Sequence, residues 1–342
     1  VMYSQDGHPE TNFRIVPVSP NAASLGTFGM IPTDNYVGQA NLTIPIYEID
    51  LDGKKFPIAL SYHTDGTRVA QEATWIGLGW TLQAGGCVVR QVQGTDDFAA
   101  RGCYNLTDAP WLTNPRFEVT DQNLEKYMGY FKGDYDAEPD MFYFNAGGHS
   151  GSMYFDVLKN NRQLNAVPTI QTQEKVVKMV YNTSNKTWTM TDLEGYVYSF
   201  STKEITYYFL NTIDFFQTDI TRSHIFPYYN EPQIVTAWML DSVTSPNGGK
   251  IMFSYKKESI FTPISTTEDV ISLSKIVNGQ LSSQSPQYFT NKFNYNYSYS
   301  KIEQWTLSAI TFGGGKVEFG TTDREDIESA ETGKKVQKLS SI

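Results

Sequence analysis

Asp134-Tyr-Asp136-Ala-Glu138-Pro-Asp140 places four carboxylates at alternate positions, a spacing whose oxygens could wrap a Ca²⁺ ion. An EF-hand loop needs glycine at its sixth position, and Pro139 stands there. The run therefore reads first as a solvated acidic loop ahead of a strand, with Asp134, Asp136, Glu138 and Asp140 as weak Ca²⁺ candidates and no other metal site. Asp96-Asp97 could join a third carboxylate in acid–base work on a glycosidic bond. Its plainer use is to cap the turn after a strand ending near Gln93. His8, His63, His149 and His224 form no HExxH or other ligand spacing. There is no GxSxG elbow and no P-loop, and Gly77-Leu-Gly79 lacks the third glycine and the helix of a dinucleotide site. Cys87 has no base beside it in sequence, so a nucleophilic role is unsupported. Cys87 and Cys103 could form a disulfide, or Cys87 could be a small buried strand residue and Cys103 a loop residue. No cofactor is expected.

Composition narrows the class. The chain has 342 residues with a net charge of −10, and its 22 Tyr and 20 Phe help bring aromatics to 14% while charged residues make up 19%. That bias suits half-buried pleated surfaces, and the acidic balance argues against nucleic acid. No apolar run approaches the roughly 18 residues of a spanning helix. The chain opens with Val1, so a removed targeting segment and a secreted or cell-surface location are expected.

The elements that would position these groups read as β. Trp75-Ile-Gly-Leu-Gly-Trp-Thr-Leu-Gln-Ala-Gly-Gly-Cys-Val-Val-Arg90 puts two tryptophans among four glycines. In a helix Gly77, Gly79, Gly85 and Gly86 would each cost about 1 kcal/mol. The segment is read as strand, tight turn, strand, with Trp75 and Trp80 as packing anchors. Asn41–Asp50 and Phe56–His63 read as a hairpin, in which Pro45 and Pro57 imply edges or strand ends. Further hairpins are expected over 139–156 and 176–192. One helix is expected from Asp121, with Leu124, Tyr127, Met128 and Phe131 on one face.

The last third repeats a phrase. Leu240-Asp-Ser-Val243, a glycine turn and Lys250-Ile-Met-Phe-Ser-Tyr255 are echoed by Leu307-Ser-Ala-Ile310, Gly313-Gly-Gly315 and Lys316-Val-Glu-Phe319. Leu339-Ser-Ser-Ile342 starts it again. Lone hairpins cannot bury an apolar face, so repeated ones should stack into a larger sheet. The expected fold is all-β: antiparallel sandwich or hairpin-repeat sheets with one or two short helices. The expected division is an irregular lead-in over 1–24, an N-terminal β domain over 25–170, and a hairpin-repeat domain over 171–342, cut at the start of a further repeat.

These residues carry a resemblance. Ser19–Gly29, Pro57–His63 and Gln71–Arg90 resemble the N-terminal region of RHS/YD-repeat proteins, the large secreted or surface forms found in Bacteroidetes. The Gly-Leu-Gly-Trp-x-Leu core also looks like a segment of toxin-complex shell subunits. Pro139-Asp-Met-Phe-Tyr-Phe-Asn145 with Ser150–Asp156, and the hairpins up to Asp323-Arg-Glu-Asp326, fit the same pattern. The signature positions are Trp75, Gly77, Gly79, Trp80, Gly85, Gly86, Arg90, Asp140 and Phe142. The resemblance covers most of the chain in patches and is weakest at 202–235 and 256–300. It implies a non-enzymatic, extracellular module of a shell that can enclose a C-terminal effector, often a toxin, with downstream repeats of the same polypeptide as partner. The run of Tyr-Asp repeats is missing, so this would be the portion leading into the shell. An alternative is a module binding cell-surface glycans or other proteins through Tyr207, Tyr208, Phe209, Phe215, Phe216, Phe226, Tyr228 and Tyr229. A carboxylate-pair glycoside hydrolase is the remote third reading.

Overall fold

Alternation of apolar and polar residues produces, among the described residues of this computed structural model, nineteen strands with every pairing antiparallel. Residues 18–22, 41–63, 71–94, 96–99, 102–105, 120, 124, 128, 138–156, 167–171, 177–214, 233–263, 265–271, 276–277, 280–281 and 292–342 are described. In chain order the strands are β1 (Asn41–Leu51), β2 (Lys54–His63), β3 (Trp80–Gln83), β4 (Gly86–Gln91), β5 (Met141–Ala146), β6 (His149–Tyr154) and β7 (Thr169–Ile170). Then come β8 (Val177–Asn182), β9 (Thr187–Asp192), β10 (Val197–Asp214), β11 (Gln233–Thr244), β12 (Lys250–Phe261) and β13 (Ser265–Ile271). The chain finishes with β14 (Ile276–Val277), β15 (Gln280–Leu281), β16 (Lys292–Phe312), β17 (Gly315–Glu318), β18 (Gly320–Asp323) and β19 (Gln337–Ser341). The all-β expectation holds. Of the expected helix, only Leu124 and Met128 lie among the described residues; both are helical and both are exposed, not turned to a core.

β1, β2 and β3 form a small sheet. Asp52 and Gly53 turn its first hairpin with φ of 51° and 94°, the left-handed pair of a tight two-residue loop. Pro45 lies on the edge strand as expected. Pro57 lies on the central strand, but β3 pairs only with Ala59–Tyr62, so no ladder hydrogen bond is lost there.

The large sheet runs β7-β6-β5-β4-β11-β12-β16-β10-β9-β8, with β13 and β17 paired to β16 and β11 also paired to β10. β4 joins β11 through Ala237–Met239, so strands before and after residue 170 share this sheet. Its two wings face each other across an aromatic trough. Phe142 of β5 lies 5.3 Å from Trp188 of β9, and Trp188 lies 4.8 Å from Tyr181 and 6.1 Å edge-on to Trp238. Each such pair adds about 0.5–1.5 kcal/mol beyond simple burial.

β11 and β12 share only their turn and then splay, β11 to β10 and β12 to β16. β10 and β16 meet again at 205–214 with 294–303, enclosing a wedge. Segment 18–22, helical at Pro20–Ala22 and placed in the expected lead-in, is buried there beside Cys87, Val89, Ala237 and Met239. The fully buried Glu204 carboxylate accepts from Ser19 N at 2.8 Å and from Thr236 Oγ1 at 3.1 Å.

The repeated phrase has a structural period. Each return strand pairs with the first strand of the next phrase, and each junction carries a one-residue bulge at the same place. Tyr255 pairs with Leu307 while Ser254 pairs with Ala309, leaving Ser308 extra. Thr321 pairs with Leu339 while Gly320 pairs with Ser341, leaving Ser340 extra. The series begins one phrase earlier than the sequence suggests: Phe200 pairs with Leu240 and Ser199 with Ser242, leaving Asp241 extra. The Gly195 turn and Tyr196–Phe200 are therefore the first return strand, with Tyr198, Phe253 and Phe319 equivalent and all buried.

Candidate functional site: the tryptophan–glycine segment and the arginine–aspartate cluster

Trp75 is not on a strand, contrary to the strand–turn–strand reading of the whole segment. Thr74 builds a turn around it: its hydroxyl accepts from Ile76 N at 3.3 Å and contacts the carbonyls of Gly77 and Trp80 at 3.1 and 2.8 Å. Gly77 and Gly79 lie in this turn, and β3 starts at Trp80. β3 belongs to the small sheet and β4 to the large one, so the Ala84-Gly85 turn carries the chain from one sheet to the other. Gly85 does this with φ of 90°, a conformation L side chains rarely adopt. At Gly86 the need is space: a Cβ would stand 2.4 Å from the Asn145 carbonyl oxygen.

The two tryptophans serve different layers. Trp80 lies 5.1 Å from Tyr62 on the small sheet. Trp75 is buried and meets Phe319, the repeat aromatic, edge-on at 6.3 Å. Its carbonyl accepts from Leu339 N at 2.8 Å, and its N–H donates to Asn21 Oδ1 at 2.9 Å. Arg324 donates to the carbonyls of Ala73 and Thr74 at 3.2 and 3.3 Å. The N-terminal signature is thus the seat on which the last two repeat phrases rest.

Arg90 and Asp140, both well before the first repeat phrase, form a second centre. Arg90 is 1% exposed, with its guanidinium 4.7 Å from the centre of the Phe98 ring and 5.8 Å from that of Phe142. It donates to Asp140 from Nε at 2.8 Å and from Nη2, and Nη2 also reaches Asp96. Asp140 accepts in addition from Gln93 N at 2.7 Å and Asp97 N at 3.4 Å, while Asp140 N donates to Asp97 Oδ2 at 2.6 Å. Asp97 Oδ1 and the Tyr104 hydroxyl face each other closely enough to interact electrically, yet neither completes a hydrogen bond of ordinary geometry. Burial, then the Asp140 carboxylate, pushes the Asp97 carboxyl up to about 8. Burial pushes Asp140 up too, but Arg90 and the backbone donors oppose it, so the proton rests on Asp97.

This geometry disposes of several expectations. Asp97 and Asp140 have no exposed surface, so no sugar and no attacking water reaches them as a glycosidase pair requires. Asp140 is committed to Arg90 and is not turned to a Ca²⁺ loop; Glu138 is exposed, and Asp134 and Asp136 lie outside the described residues. Among the described residues no three His, Cys, Asp or Glu side chains stand together as a metal site. Cys87 and Cys103 are both free thiols, so no disulfide joins them. Burial pushes the Cys87 thiol far up, and it is inert. His149 opens β6 with Nε2 3.8 Å from Asp192, and His63 is on β2; His8 and His224 lie outside the described residues. Of the proposed aromatic platform, Tyr207 is half-buried under the Lys301 ammonium at 5.3 Å and Tyr208 is half-buried on β10. The side chain of Phe209, and Phe215, Phe216, Phe226, Tyr228 and Tyr229, lie outside the described residues.

Sequence reasoning missed Lys54 and Arg324. Lys54 of the small sheet reaches Asp192 of the large one at 2.5 Å and Glu194 at 2.9 Å. Lys54 has no motif, and Arg324 stands in the sequence only as part of Asp323-Arg-Glu-Asp326; the role of each is defined by a partner 138 or about 250 residues away.

No protein-family model matches the chain, and no curated protein sequence does. Among solved structures the chain is similar to part of one described as "Crystal Structure of TcdB2-TccC3-Cdc42", with 11% identity and a TM-score of 0.31 over 87% of this chain. The match spans 12% of that chain's length, and a likeness of this size decides nothing about fold or function here.

Proposed function

We propose that this chain is a non-enzymatic, extracellular β module that leads into an RHS-type shell, a shell that encloses or displays a C-terminal effector. The observation that carries the reading is the structural period of the hairpin phrase, with the same bulge at Asp241, Ser308 and Ser340. A β sheet built by adding equal hairpins is the unit from which a shell wall can grow. The resemblance of Gln71–Arg90 to RHS/YD-repeat proteins supports it, since that segment seats the growing end through Trp75, Phe319 and Leu339. The most titratable centre, around Arg90, is spent on holding a loop against the sheet. The glycan-binding reading has less support. The groove between the two sheets, about 360 Å³, is lined by Phe56 and Phe253 and by no Tyr or Trp. The cavity that does touch Trp75 and Trp305 holds only about 30 Å³.

The test is the reading frame beyond the codon for Ile342 in the source gene. Further Leu-x-x-Ile phrases, glycine turns and Lys-led strands are expected. A stop codon there would overturn the shell reading.

A further inference from the structure

Residues 96–99 and 102–104 fold into a compact strap over one end of the aromatic trough. Ala99 N donates to Asp96 O at 2.8 Å, Gly102 N to Ala99 O at 3.0 Å and Tyr104 N to Asp97 O at 3.2 Å. Phe98 stacks on Tyr181 at 5.5 Å, and Tyr104 meets Phe155 edge-on at 5.4 Å. The strap is tied to the sheet by the reciprocal Asp97–Asp140 hydrogen bonds and by Asp96 on Arg90. A Cβ at Gly102 would stand 2.1 Å from Asp96 O, so the strap closes on itself with no slack.

Among the described residues the charges facing Asp97 are few. Arg90 comes from β4, Asp140 from the lead into β5, and Asp96 and Tyr104 from the strap itself; Tyr181 of β8 packs against Phe98. The remaining wall is Phe142, Phe155 and Trp188, which do not titrate. Among the described residues one guanidinium therefore stands against three carboxylates, two of them without exposed surface. A dry cluster cannot hold that imbalance fully ionised. Asp97 Oδ1 is buried with no hydrogen-bond partner of ordinary geometry, so it is a place in the cluster where a proton can be held.

We infer that the strap is an acid-tightened latch: a single proton on Asp97 holds it closed over the aromatic trough, and the strap opens more readily as that proton becomes harder to supply. Closed, Asp97 is neutral; open, it is an ordinary aspartate that ionises near pH 3.9. Closing therefore takes up one proton wherever the open form is ionised and the closed form is not. Tightness falls about tenfold for each pH unit above that ordinary value and levels off once the closed form itself ionises. The group's closed-state pKa is raised to about 8, so the slope runs from about pH 4 to about pH 8.

Amide hydrogen exchange on the full chain tests this, with protection at Asp97, Ala99, Gly102, Tyr104 and Asp140 corrected for the intrinsic rate at each pH. Between pH 5 and pH 7 strap protection should fall about a hundredfold, while amides of the C-terminal strand β19 that exchange by local opening, with the strap still closed, should stay level. In Asp97→Asn the carboxamide keeps the oxygen that accepts from Asp140 N and carries no titrating proton, so protection should be flat with pH. Should that variant fail to fold, infrared spectroscopy of the wild-type chain gives a second reading: a protonated carboxylic acid band at neutral pH that vanishes above about pH 8. A flat wild-type profile, or no such band, overturns the latch.

Discussion

At the scale of single residues, the cost of Arg90 lies in what it leaves behind. Removing one member of a buried ion pair strands the other charge, at about 3–5 kcal/mol. Arg90→Met should lose that much in urea unfolding, because Asp140 keeps its place with no cation. Adding Asp140→Asn to Arg90→Met should recover a large part of the loss, since the stranded charge goes with it. A single Arg90→Met variant as stable as wild type would mean that the cluster is not dry. Gly86→Ala makes a separate point about space. Its methyl group would meet backbone at Asn145, which cannot rotate away, and about 1–3 kcal/mol should be lost. Gly313, with open space around its missing Cβ, is the matched control: Gly313→Ala should unfold at nearly the wild-type urea concentration.

At the scale of elements, the bulge carries more of the fold than the hydrogen bonds around it. Ser308 Oγ donates to Ser254 O at 2.9 Å, and Ser308→Ala should cost no more than about 1 kcal/mol. Deleting Ser308 removes the extra residue itself. Every side chain of β16 on one side of the deletion would then turn to the opposite face. That variant should lose the exchange protection of β16 to β19 while Ser308→Ala keeps it; equal behaviour would show that the bulge does not set register. The phrase Leu-x-x-Val/Ile, glycine turn and Lys-led strand was legible in the sequence because each part acts locally. The bulge was not, since it exists only between a return strand and the next phrase, up to about 50 residues away. Gly195-Tyr-Val-Tyr-Ser-Phe200 reads as a turn and a strand but not as a copy of the phrase, because Gly195 stands where Lys250 and Lys316 stand in the later phrases. The alternation ending Tyr198-Ser-Phe200, against Phe253-Ser-Tyr255, was the available signal. Arg90, Asp140 and Asp97 were each singled out from sequence, but their meeting depends on the β4–β5 pairing and a folded loop.

At the scale of the whole molecule, the small sheet has to be fastened to the large one. Lys54 fastens the sheets. Burial disfavours its ammonium, but the hydrogen bonds to Asp192 and Glu194 outweigh that and push its pKa up. Burial likewise opposes the Asp192 carboxylate, and Lys54, Tyr196 N and Tyr198 outweigh it, holding its pKa below the usual value. A carboxyl lowered in the fold contributes stability above its unfolded pKa and loses it as pH falls through the folded one. Lys54→Met should therefore cost about 2 kcal/mol near neutral pH, a figure reduced for the partial exposure of Lys54. The difference from wild type should shrink as urea unfolding is repeated at increasingly acid pH below 4; a difference that does not change with pH would assign the loss to packing.

The hairpin period can be tested by extending it. Val243 and Ile310 are 0% and 1% exposed, because each faces an aromatic of the preceding return strand and an apolar residue of its own. Ile342 is their equivalent and is 41% exposed. If the hairpin period is the rule of growth, a copy of residues 311–323 joined after Ile342 should fold as the return strand of that phrase. Its valine would come opposite Ile342, as Val317 does opposite Ile310. Full burial of an isoleucine is worth about 1.5–3 kcal/mol; Ile342 is 41% exposed, so roughly 1 kcal/mol of this is available to offset part of the cost of ordering the added strand. The amides of Ser341, Ile342 and the added strand should then exchange slowly. The same extension with the copies of Val317 and Phe319 replaced by serine should stay a fast-exchanging tail. Should both extensions exchange equally fast, the recurrent bulge would record a shared ancestry of the hairpins and not a rule by which the sheet grows.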